Sequence, residues 1–275
     1  MIISIAEEMN PTRRNTMEDV HVIHAPQTWA APHPSASFIG IYDGHGGRLI
    51  VDYLEDHLAK NVAQEWTFEK KKGGGGETTD VVVAAGRKRR LSTTSDSNDD
   101  DSSDDDSDDE EEKDGGEIIR NSMERAFLLT DIQSRMAGLT TSGATVVCTI
   151  IIPNFDNDGN CTDIEIHAAN AGDARAVLSS TVARSACAKT AFNNDDATIQ
   201  NAVRITQDHK STDASEIERI QAAGGTVIRN RVMGIMAVAR SLGDHGLKEF
   251  VIAKPYLSST VVKIADYDHG DDMMG

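Results

Sequence analysis

The 275-residue sequence predicts an α+β fold layered on antiparallel strands. Three observations carry the prediction. Short apolar runs that end in Gly, Asn and Asp turns stand before and after two segments with helical periodicity. Strands and helices do not alternate as they would in a parallel βαβ chain. A long tract poor in apolar residues separates the two helical segments, and such a tract cannot bury enough surface to order itself.

The elements follow in order. In "FIGIYDGHGG" (38–47), Phe38, Ile39, Ile41 and Tyr42 form a strand that runs straight into Asp43, Gly44 and His45. Residues 48–66 space Ile50, Tyr53, Leu54, Leu58 and Val62 as one face of a helix. A Lys/Gly run, the basic "GRKRR" (86–90) and an acidic stretch then make residues 67–116 a disordered insertion, joining two helices of one domain built from 1–66 and 117–275. The second helix opens at Glu117 with Ile119, Met123, Phe127, Leu128 and Ile132 in phase. Residues 143–152 and 163–170 read as a strand pair, and 175–180 as a third strand. A helix between Ser and Asp caps and the stop signal Gly224-Gly225 fills 211–225, and 226–244 returns to short strands and a loop.

Charge and cysteine content exclude several function classes. Thirteen acids against one lysine between Asp96 and Asp114 carry two-thirds of the net charge of −18, so the body is only mildly acidic. That balance repels nucleic acid rather than attracting it. The N-terminus lacks the basic lead and apolar core of a signal peptide, and no run has membrane-spanning length. Cys148, Cys161 and Cys187 form no CxxC pair, which suits a reducing compartment, and none begins a Cys-x5-Arg phosphate loop. A cytoplasmic or nuclear monomer is expected, with "RKRR" (87–90) as a short basic run of the import-signal kind.

One motif misleads. Asn154, Asp156, Asp158, Gly159 and Glu165 match the spacing of a calcium loop, but that loop needs a helix on each side and both flanks here read as strands. A hairpin turn is the better reading.

A carboxylate at a strand end can simply cap a turn. Here four sites compete with that reading: Asp43; the adjacent Glu18 and Asp19, with Arg14 upstream; Asp173 in "NAGDARAV" (170–177); and Asp244 in "ARSLGDHG" (239–246). Acids in glycine turns, with few histidines, suit hard divalent cations better than zinc.

Together "RRNTMED", "IYDGHGG", "TSGATVV", "NAGDARAV", "QDHKSTDASEIERIQAAGGTVI" and "VMGIMAVARSLGD" closely resemble the metal-dependent protein serine/threonine phosphatases, the PPM or type 2C family, in family order from about residue 10 to 260. The resemblance implies an antiparallel β-sandwich flanked by helical layers (α-β-β-α), with two Mn²⁺ or Mg²⁺ ions and a weaker third. It implies that Asp43 bridges the ions, that the Gly44 carbonyl and Glu18 are further ligands, and that Asp19 orients that shell. It makes Arg14 the phosphate grip, His45 the general acid, Asp173 a ligand of the third ion, and Asp244 a metal-site acid. The implied reaction is hydrolysis of phosphoserine and phosphothreonine in proteins by a hydroxide shared between the ions.

The resemblance lapses at the C-terminus. The family's later Asp-Gly and Asp-Asn pairs, both sources of metal-ligand aspartates, have no counterpart before "KIADYDHGDDMMG" (263–275), so the last sandwich strands are expected to be missing and turnover by this chain to be low. Asp266, Asp268, Asp271 and Asp272 read as a solvated loop. The alternative function is a weak or inactive phosphopeptide binder or scaffold. It would act through the acidic insertion on basic partners such as histones or ribosomal proteins.

Overall fold

The computed structural model describes residues 2–9, 12, 16–73, 114–182 and 199–264. In chain order the elements are β1 (Asp19–His24), β2 (Ser37–His45), α1 (Leu49–Gly73), α2 (Gly115–Met136), β3 (Gly143–Phe155), β4 (Cys161–Ala171), β5 (Val177–Val182) and β6 (Ile199–Arg204). After them come α3 (Ala214–Ala222), β7 (Val227–Ile228), β8 (Arg231–Val232), β9 (Leu242–Gly243), a single 3₁₀ turn (His245–Leu247) and β10 (Tyr256–Lys263).

The strands are antiparallel, as expected for the α+β class. The main sheet runs β1-β2-β3-β4-β10, with β9 attached to the start of β3, and β5–β6 and β7–β8 form separate two-stranded ribbons. Period-two alternation divides the main sheet into two faces. Val20, Val22, Phe38, Tyr42, Val146, Cys148, Ile150 and Ala169 point to one face and pack with Ile50, Leu54, Leu58 and Val62 of α1 and Met123 and Phe127 of α2 in one core. The opposite face keeps Ile41 48% exposed, and Asp43 and His45 share its phase on β2.

Helix α1 runs seven residues past the expected end at 66, to Gly73. Glu69 in this added stretch is buried, as is Trp66 just before it, and Glu69 accepts from Arg125 of α2 at 3.1 Å while Glu65 pairs with the same guanidinium at 2.7 Å. Asn61 adds donors to Thr130 and Gln133, each at 2.8 Å. The two helices therefore lie side by side, although 41 residues of sequence separate them. The remainder of the expected insertion, 74–113, lies outside the described residues.

Two sequence expectations shift. Leu128 and Ile132 do not share the buried stripe: they are 38% and 57% exposed, while Ala126, Thr130 and Ser134 are buried instead. The apolar spacing allowed either phase, and packing against α1 selected the one through Phe127. Helix α3 begins without a side-chain cap, since Asp213 turns back to accept from the Lys210 amide at 2.8 Å. Its C-terminus behaves as expected, with Gly224 at φ +84° and the Gly225 amide returned to the Ile220 carbonyl.

The calcium-loop spacing resolves as the β3–β4 hairpin. Asp156 accepts from the Asp158 and Asn160 amides at 2.9 and 2.8 Å, and Asn154 bridges Asp163 and Glu165. Among the described residues no helix is long and apolar enough to cross a membrane.

The helix phase has a direct test. Phe127→Ala should cost about 3–5 kcal/mol in urea denaturation, since it removes a fully buried ring. Ile132→Ala should stay within about 0.5 kcal/mol. Equal losses would mean that the stripe read from periodicity is the buried one.

Candidate active site

The register of β1 and β2 sets Asp19 directly opposite Asp43. Both lie on the sheet face that the helices leave open, with their carboxyl groups near each other. Burial, then the charges of Asp19 and Asp173, hold the Asp43 carboxyl above the usual carboxylate range. Asp43 is exposed on its outer side, so water screens much of this lift.

Gly44 follows on the inner face with no room for a side chain. A Cβ there would lie 2.4 Å from the Glu18 carbonyl oxygen and 2.8 Å from Val51. The close approach holds the Glu18 backbone against β2. Arg48 secures the same segment from the other side, donating to the Met17 carbonyl at 2.5 Å and pairing with Asp52 of α1 at 3.0 Å.

Asp173 arrives from the turn after β4. Gly172 has φ +104° and is clamped by His209: the His209 amide donates to the Gly172 carbonyl at 2.9 Å, and the Gly172 amide donates to His209 Nδ1 at 3.2 Å. Burial, then the nearby Arg240 charge, push the His209 pKa down to about 4, so the ring stays neutral and able to accept. Arg175 beside the turn holds Asp208 through two bonds of 2.7 and 2.5 Å.

His45 ends β2 one alternation beyond Asp43. Its Nε2 meets Asp244 Oδ1 at 2.9 Å and Oδ2 at 2.8 Å. Burial disfavours the charged ring, but the Asp244 bond and charge, with Asp43 and Glu18 nearby, outweigh it and raise the His45 pKa. The Asp244 carboxyl is lowered in return: burial opposes its charge, and the bond and charge of His45 prevail.

The structure thus brings Glu18, Asp19, Asp43, Gly44 and His45 together and lets Asp173 act on Asp43 through charge. Asp43 and His45 sit within the strand rather than in the turn after it, which starts at Gly46. Asp244, expected beside a metal, has both oxygens on His45. Arg14 and the tail acids Asp266, Asp268, Asp271 and Asp272 lie outside the described residues. His209, Arg48 and Ser241 escape the sequence reading, although "QDHK" and "ARSLGD" already stood out as motifs.

Among the described residues no three His, Cys, Asp or Glu side chains close around one point as a complete metal cage. The donors nevertheless suit a hard divalent cation. Two carboxyls in mutual contact under a third negative charge leave negative potential that a cation would neutralise, and Mg²⁺-type ions keep several water ligands.

A family model for Protein phosphatase 2C matches residues 4–116 and 84–269 of the chain. The chain is 26% identical to Protein phosphatase 2C homolog 1 of Schizosaccharomyces pombe, over 94% of its own length and 55% of the relative's. It is 31% identical to Probable protein phosphatase 2C 67 of Oryza sativa, over 92% of its length and 56% of the relative's. It spans little more than half of each. Among solved structures, a serine-threonine phosphatase 2C from Toxoplasma gondii superposes with a TM-score of 0.55 at 14% identity, over 92% of this chain and 71% of that one. At such identity the likeness speaks for the fold.

The acid pair yields a prediction for the metal-free chain. Asp43 holds its proton to higher pH when folded than when unfolded, so its ionisation costs stability as pH rises above the ordinary carboxylate range. With chelator at pH 7, Asp43→Asn should melt slightly above the parent, and the gain should vanish below about pH 4. A variant less stable than the parent at pH 7 would show that the pair is not repulsive.

Proposed function

The chain belongs to the protein phosphatase 2C family, and from that premise we propose that it hydrolyses phosphoserine and phosphothreonine esters in proteins with Mn²⁺ or Mg²⁺. The observation that carries the reading is the Asp19–Asp43 pair with the His45 ring one alternation away on the same sheet face.

Asp43 would be shared between two ions. The Gly44 carbonyl and Glu18 would complete the nearer side, Asp19 would orient water ligands, and Asp173 would serve a weaker third ion. Bound there, divalent ions supply charge neutralisation for the dianionic phosphate and a lowered pKa for a coordinated water. The chain's own groups do the rest. His45 gives a proton to the serine or threonine oxygen as the P–O bond breaks, so that a neutral alcohol leaves instead of an alkoxide. Arg14, with its planar fork, is the residue proposed to grip the phosphate oxygens. Asp244 is proposed as a further metal-site acid, and its carboxylate also meets His45 and Ser241. The acidic run of 96–114 is proposed as an arm for basic protein partners.

Calorimetric titration and turnover test this together. Mn²⁺ should bind the parent and raise its melting temperature, and Asp43→Asn should weaken binding by roughly a hundredfold, the loss expected for removing a shared charged ligand. A phosphothreonine peptide should release phosphate in Mn²⁺ and not with chelator. Mn²⁺ binding indifferent to Asp43, or phosphate release that survives chelation, would overturn the reading.

A further inference from the structure

We propose that Ser259, His167 and Glu165 form a second catalytic site, a hydrogen-bonded series in which Ser259 attacks the acyl carbon of small carboxylic esters. It lies on the helix-covered face of the main sheet, across from the acid pair, and does not rest on the phosphatase reading.

The three side chains come from neighbouring strands in one phase. The β4–β10 register sets Ser259 directly opposite His167, and Glu165 precedes His167 by one alternation. His167 in turn stands opposite the core residue Ile150, which fixes the face. Ser259 Oγ lies 2.8 Å from His167 Nδ1, and His167 Nε2 lies 3.3 Å from Glu165 Oε2. A carboxylate only accepts, so Nε2 carries the ring proton and Nδ1 is left to accept from the Ser259 hydroxyl. The Glu165 carboxylate is itself held. Asn154 donates to its Oε1 at 2.9 Å and to Asp163 Oδ1 at 2.7 Å. Glu165, the last residue of the calcium-loop spacing, thereby has a use that the hairpin turn alone does not give it.

Burial separates the roles. The His167 side chain is 3% exposed, beneath the first turn of α2, where a Cβ on Gly116 would stand 3.5 Å from its Cε1. That burial holds the His167 pKa below its ordinary value, so the ring is neutral and free to take a proton, while the Glu165 charge favours the imidazolium once it forms. Ser259 is exposed on β10, an edge of the main sheet, so a substrate can reach its Oγ. Arg120 of α2 donates to the same Oγ at 2.9 Å. A guanidinium beside the nucleophile stands where negative charge develops on the oxygen of an attacked ester. A serine hydroxyl is a weak nucleophile alone, and an adjacent base oriented by a third group is what activates it.

The step balances within these groups. As Oγ bonds the ester carbon, its proton passes to Nδ1 and the carbonyl π pair moves onto oxygen beside Arg120. Collapse breaks the ester C–O bond, and the leaving alcohol takes the proton from Nδ1. Water then attacks the acyl-serine with His167 again as base, releasing the acid and restoring the hydroxyl.

The experiment treats the full chain, in chelator, with an alkyl fluorophosphonate and with p-nitrophenyl acetate. Peptide mass spectrometry should find a single adduct on Ser259 in the folded chain and none after unfolding in urea, because the activation is tertiary. Ser259→Ala changes an exposed side chain and should abolish both the adduct and the ester hydrolysis. Glu165→Gln and Arg120→Gln, each checked by thermal melt, should slow labelling by about tenfold or more. No adduct on Ser259, an adduct that also forms in urea, or an unchanged labelling rate in Glu165→Gln would overturn the proposal. Hydrolysis of p-nitrophenyl acetate that survives Ser259→Ala would do so too, since the imidazole would then be acting alone.

Discussion

Pairing Asp19 with Asp43 across β1 and β2 puts two carboxyl groups in contact on a sheet face, and the rest of the site is organised around that repulsion. The register cannot slip to relieve it. A shift by one residue would turn Val20, Phe38 and Tyr42 to the open face and drive the acids into the core beneath α1. The burial of β2's inner face thus enforces the electrostatic cost on its outer face. A cost of that kind is tolerable where a cation repays it.

The helices set the other boundary. Because α1 and α2 pack along each other and on the same face, all residues of the acid site are confined to the other side or to the strand ends. The Glu69–Arg125 and Asn61–Thr130 contacts lock the pair across a long stretch of chain. This explains how a segment as polar as the acidic run can lie between them in sequence. Loop closure costs little per added residue once the two ends are held together.

Around the acids, position is controlled by backbone contacts more than by side-chain bulk. Gly44 admits the Glu18 carbonyl, His209 clamps the Gly172 turn that carries Asp173, and Gly143 leaves the seat that Asp244 fills. Each is a place where one missing or neutral group lets a charged one take a defined position. The histidines divide the work by protonation. Burial keeps His209 neutral and accepting, while the acids around His45 favour its charged, donating form.

The amino-acid sequence by itself determined the α+β class, the two long helices and the β3–β4 hairpin. These follow from local periodicity, turn chemistry and motif spacing, which act over a few residues. It did not determine the phase of α2, since Leu128 and Ile132 fit the apolar spacing as well as Ala126 and Thr130 do; only contact with α1 chose between them. Nor did it determine that Asp244 meets His45. That contact depends on where residue 45 and residue 143 lie, about a hundred residues or more away along the chain. Tertiary structure decided it, because hydrogen bonds between distant segments exist only once the sheet has brought them within 3 Å.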